Sequence, residues 1–223
     1  ILEEVEVNTN GFSDGKLASL FTSLSALPTL TKVVARKKSR DDGGGRPVSA
    51  ELIAALCALV ETRPLRHVEL NNWGLSDADF TKLCASIGKG TKLRDLCALD
   101  NAIGADALRA LRSALESHRK LRRFSITVRA GTPTTEAAAI IREHPQLRVL
   151  NLCDWDVPTD GAIEIFAAAE SLTCLSALFM DGFGRAPYDP RVAVAIRSAI
   201  RGKPLRHLFL DQANIATLAT LAE

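Results

Sequence analysis

The stretch LRHVELNN, residues 65–72, returns in altered form along the chain: LRDLCALDN from Leu93, LRVLNLCD from Leu147 and LRHLFLDQ from Leu205. Aligned on the first leucine, its relatives begin at Leu2, Leu30, Leu65, Leu93, Leu121, Leu147, Leu175 and Leu205. Successive anchors lie 26 to 30 residues apart, except for one step of 35. A period of that length marks stacked structural units, none of which can bury its apolar face alone.

From each anchor runs the pattern L-x-x-L-x-L, as in Leu65/Val68/Leu70, Leu121/Phe124/Ile126 and Leu147/Leu150/Leu152. Its last two apolar positions alternate with other residues, the period-two pattern of a strand with one buried face. The period then changes. In SAELIAALCALVET, Leu52, Leu56, Leu59 and Val60 fall at helical spacing, as do Leu108, Leu111 and Leu115 in ADALRALRSALESH. Ser13-Asp14, Ser76-Asp77, Thr132-Pro133, Pro158-Thr159-Asp160 and Asp189-Pro190 supply helix starts. Gly88, Gly90 and Gly202 mark helix ends, with Pro64, Pro145 and Pro204 shortly before the next strand. Each unit is thus expected to be strand, loop and helix, with the strands in parallel because a helix is the usual parallel crossover.

The motif followed by a long helix at a period of about 28 residues resembles the ribonuclease-inhibitor-like class of leucine-rich repeats, over essentially the whole chain. That resemblance implies an α/β solenoid of about eight repeats, a curved horseshoe with a parallel sheet on the concave face and helices on the convex one. The family also places Asn or Cys three residues after the last strand leucine. Here Asn10 and Asn101 match, whereas Lys38, Trp73, Arg129, Trp155, Phe183 and Ala213 stand there in the other units, so most of the family's asparagine ladder is missing. The bulky Trp73 and Trp155 are expected to fill core.

The 223 residues, 47% of them hydrophobic, suffice for one continuous core, and a formal net charge of +2 gives no whole-molecule field to attract nucleic acid or an anionic membrane. The longest apolar run, LIAALCALV, is far short of the roughly 20 residues a membrane span needs. Cysteines at 57, 84, 97, 153 and 174, without a C-x-x-C pair, point to reduced thiols and a cytoplasmic setting. Residues 1–223 are expected to form a single repeat domain within a longer protein, since no polar cap precedes the first strand and the chain stops inside an eighth helix. The long second unit carries its extra residues in RKKSRDDGGGRP, residues 36–47, expected to be a flexible charged insertion. DGFGRAPYDP, from Asp181, is a second, smaller insertion.

If the x positions face the concave side, the first of them aligns Arg66, Arg94, Arg122 and Arg148 in consecutive repeats, with Arg206 further along. Arg123 and His67 flank this column, while Glu3, Glu4 and Glu6 make the first repeat acidic. Guanidinium forks pair with carboxylate or phosphate, so an acidic protein surface would suit the strip; a plain solubility device is the competing reading. The strand-centre x positions are Glu6, Val34, Glu69, Cys97, Ser125, Asn151, Phe179 and Phe209, and the two phenylalanines are candidate anchors for a protein partner.

Nothing in the sequence assembles a catalytic constellation. His67 and His207 share a column but sit five repeats apart, roughly 24 Å at strand spacing, and His118 and His144 fall near helix C-termini, where a cation suits the dipole. No cofactor motif stands in usable context; GGGR lacks the G-K-[ST] of a phosphate loop. The leading expectation is a non-enzymatic protein-protein interaction module. The alternatives are a GTPase-activating protein, because leucine-rich repeat activators of the Ran GTPase look similar in repeat length, and a structural scaffold in a large assembly.

Overall fold

The structure, a computed structural model, describes residues 2–36, 48–90, 92–180 and 189–210. Eight strands and seven helices alternate along these residues. They are β1 (Glu4–Asn8), α1 (Asp14–Leu24), β2 (Lys32–Arg36), α2 (Ala50–Thr62), β3 (His67–Glu69), α3 (Asp77–Gly90), β4 (Asp95–Ile103) and α4 (Ala105–Leu115). There follow β5 (Arg123–Val128), α5 (Thr135–Glu143), β6 (Val149–Asn151), α6 (Thr159–Ala169), β7 (Ala177–Phe179), α7 (Pro190–Ile200) and β8 (His207–Phe209). The expected insertion, beyond Arg36, lies outside the described residues, as do residues 181–188 and the expected eighth helix.

All eight strands form one parallel sheet in the order of the chain. Its register repeats from strand to strand: Val5, Val33, Val68, Leu96, Phe124, Leu150, Leu178 and Leu208 are cross-strand partners in succession. From Val33 to Leu178 these mid-strand residues are buried and join the helix residues in a single apolar cluster. One face of the sheet is therefore covered by the helices, and the residues on either side of each mid-strand residue lie on the other, open face.

The helices begin where their capping chemistry predicts. Ser13 and Ser49 accept hydrogen bonds from the backbone N–H groups of Lys16 and Leu52, and Ser76 exchanges bonds with Asp79 in the manner of a capping box. Only the fifth start differs: α5 opens at Thr135 rather than at Thr132-Pro133, with Thr134 as its N-cap. First-turn acids also join neighbouring units. Asp14 accepts from the N–H of Ser49 at 2.7 Å, and Asp77 accepts from Gly104 N–H at 2.7 Å. Gly90 ends α3 so close to the preceding unit that a Cβ there would collide with the Glu61 carbonyl.

Both tryptophans are buried, as expected, and they also bond. Trp73 Nε1 donates to the carbonyl of Ala35 at 2.7 Å, and Trp155 Nε1 donates to the carbonyl of Ile126. Asn101, at the same place in its own unit, donates from Nδ2 to the Leu70 carbonyl at 2.9 Å. All three acceptors are the sixth residue of the preceding repeat, so indole and carboxamide make the same connection between units.

Candidate functional site

On the open face, strand register brings together residues far apart in sequence. The first open-face column reads Glu4, Lys32, His67, Asp95, Arg123, Val149, Ala177 and His207; the second reads Glu6, Val34, Glu69, Cys97, Ser125, Asn151, Phe179 and Phe209. The second column is the one expected from the repeat. Arg66, Arg94, Arg122, Arg148 and Arg206 do not lie on the strands: each stands one residue ahead of its strand, because the strands begin at the third residue of the repeat. Of the expected basic strip, Arg123 and His67 are the members that reach the sheet face.

The arginines ahead of the strands form a backbone ladder. Arg94 N–H donates to the Arg66 carbonyl at 2.8 Å, Arg122 N–H to Arg94 at 2.6 Å and Arg148 N–H to Arg122 at 2.7 Å. Each of these carbonyls also accepts from the next residue of the neighbouring repeat, as Arg66 does from Asp95 at 3.0 Å. Their side chains are exposed, apart from that of Arg94, which is half-buried.

Across β1 to β4 the open face carries charges of alternating sign. Lys32 pairs with Glu4 at 2.8 Å, and Arg36 reaches both Glu6 at 2.7 Å and Glu69 at 2.5 Å. His67 stands between two carboxylates, with Nε2 at 3.5 Å from Glu69 and Nδ1 at 3.6 Å from Asp95. Burial alone would push the Glu69 carboxyl up, but hydrogen bonds and charge from Arg36 and His67 outweigh it and hold the group below the ordinary glutamate range. Asn71 adds a donor to Glu69 at 3.0 Å. The acidic character expected of the first repeat is thus largely neutralised by β2.

The middle of the face is polar and closed to solvent. Cys97 and Ser125 are buried, and burial pushes the Cys97 thiol up against the opposing pull of the Arg123 guanidinium. A raised thiol pKa disfavours the thiolate that a nucleophile requires. From β6 onward Val149, Ala177, Phe179 and Phe209 share the face with only two polar residues, Asn151 and His207. The two phenylalanine rings lie 6.5 Å apart at 38°, and Phe209 is 51% exposed.

His118 and His144 belong to helix ends, as expected: their Nδ1 atoms contact the carbonyls of Ala114 at 2.9 Å and Ile140 at 2.7 Å. His67 and His207 occupy one column five strands apart. Among the described residues, no group of His, Cys, Asp or Glu is arranged to hold a metal ion, and no helix is long and apolar enough to cross a membrane.

One contributor escaped sequence reasoning. Arg36, expected to open the insertion, ends β2 and bridges two acids; its place six residues after the Leu30 anchor, level with Asn8 across the sheet, is the signal. No protein-family model and no curated protein matches the chain.

Proposed function

We propose that the chain is a leucine-rich repeat solenoid of the ribonuclease-inhibitor-like class, and that it works as a non-enzymatic module holding a protein partner on its concave, open sheet face. The constant strand register and the inter-unit bond made by Asn101 support the repeat assignment. The exposed Phe209, with the half-buried Phe179 ring beside it, carries the functional reading. Paired aromatic rings at an open surface present large apolar area with little rotamer freedom to lose, which is how interface anchors work.

The fitting partner is a protein with an apolar group to seat on these rings and carboxylates within reach of Arg148 and Arg206, beside β6 and β8. The five free cysteines suit a reducing, cytoplasmic setting. The test is affinity capture from source cells, comparing the wild-type chain with Phe179→Ser/Phe209→Ser. Loss of a specifically retained protein from the variant is expected, and an unchanged set of retained proteins refutes the assignment.

A further inference from the structure

Apart from the open face, the margin where helices end and strands begin has a character of its own. Segments 63–66, 91–94, 119–122 and 145–148, one from each of four consecutive units, contain eight Lys or Arg and no Asp or Glu. None of the eight takes part in an ion pair among the described residues. Several cations elsewhere do pair: Lys32, Arg36, Arg109, Arg112 and Arg191 all hold carboxylates.

Magnitudes decide whether the fold itself explains this strip. Four helices, α2 to α5, end along the margin, and each contributes about half a negative charge at its C-terminus. Against eight cations that leaves a surplus of about six positive charges. Of the acids at those helix ends, Glu61 and Glu143 already hold Lys89 and Arg112, leaving Glu116. Six of the eight cations are exposed, with Arg63 and Arg94 half-buried. The carbonyl ladder fixes their spacing, so Arg66, Arg94, Arg122 and Arg148 follow one another at roughly 4.8 Å of backbone separation.

We propose that this margin binds an acidic, extended polypeptide segment lying across these four units, with the ladder arginines gripping successive carboxylates. A row of like forks at short, regular intervals fits an extended chain bearing a run of Asp or Glu, and each fork can bind a carboxylate through two parallel N–H donors. The four segments contain no aromatic residue on which a base could stack, which sets a polypeptide ahead of a single-stranded nucleic acid. This site shares Arg148 with the surface proposed around Phe179 and Phe209, but Arg66, Arg94 and Arg122 lie outside that surface, so it can fail or stand without it.

The experiment is fluorescence anisotropy with a labelled oligoglutamate peptide on the full chain, at low and at physiological salt, with single-stranded oligothymidylate of equal charge as the comparison. Saturable, salt-sensitive peptide binding is expected, weakened at least about tenfold in Arg122→Glu/Arg148→Glu. Circular dichroism confirms the fold of that variant, and Arg122→Ala/Arg148→Ala replaces it if charge reversal prevents folding. Absence of peptide binding, equal binding by the variant, or tighter binding of oligothymidylate than of peptide overturns the proposal.

Discussion

Trp73 Nε1 donates its hydrogen to the carbonyl of Ala35, 38 residues earlier, and in doing so ties the third unit of the sheet to the second. Trp155 repeats the arrangement on Ile126. The Trp73 ring also packs against Phe21, with centroids 5.8 Å apart. Phenylalanine in place of this buried indole keeps an aromatic ring but removes the donor and part of the ring volume. Trp73→Phe is expected to lose about 1–3 kcal/mol, since it leaves a buried carbonyl unpaired. Urea unfolding measures it, and an unchanged midpoint would show that the bond to Ala35 adds nothing to stability.

Asn101, towards the end of β4, bonds through both ends of its carboxamide. Its Oδ1 accepts from the N–H groups of Trp73 and Leu75, and its Nδ2 serves the carbonyls of Leu70, Ala98 and Leu99. Asn101→Ala strands several buried backbone groups at once. The expected loss is about 2–4 kcal/mol by the same denaturation assay, with hydrogen exchange rising first at Trp73 and Leu75.

Glu69 makes stability depend on acid. Its carboxyl is held low in the folded protein, so the stabilisation is complete above the pH at which an unfolded glutamate titrates, about 4.3, and is lost as the pH falls through the depressed folded value. Glu69→Gln removes that contribution. The variant is expected to be less stable than wild type at pH 7, and the difference should shrink steadily in urea titrations carried below the ordinary glutamate range. A constant difference would mean that Glu69 contributes through shape rather than charge.

Lys203 closes the end of α6 by donating to the carbonyls of Ala169, Glu170 and Leu172 at 2.7, 2.9 and 2.8 Å. Burial depresses its ammonium pKa, partly offset by Glu170. Lys203→Met keeps the stem and loses all three donors. A loss of about 1–2 kcal/mol is expected from thermal or urea unfolding, and Lys203→Arg should recover part of it.

The sequence was most informative where one repeat determines the next. Glu6, Glu69, Cys97, Ser125, Phe179 and Phe209 fall on one column because the period keeps strand register constant, so counting from Leu65 locates them. Counting failed one step earlier in the repeat. Alternation holds only inside a strand, and β3 and β6 are three residues long, so the second repeat position, with Arg66 and Arg148, precedes the pleat. The charge chain from Glu6 through Arg36 to Asp95 was also hidden, since it needs partners from four strands. Bulk alone places the tryptophans in the core, whereas their shared position with Asn101 carries the further information that they donate across units.

Arg36 clasps Glu6 on β1 and Glu69 on β3 from its own place on β2. In a sheet where strands pack on consecutive strands, most connections are between immediate neighbours, and an edge strand can peel away while the rest stands. A clasp spanning three strands changes the cooperativity of that event: releasing β1 also loosens the hold on β3. The first units of the sheet should therefore open together, as one foldon rather than as successive layers, which gives a charged side chain on the open face a part in setting how the chain begins to unfold.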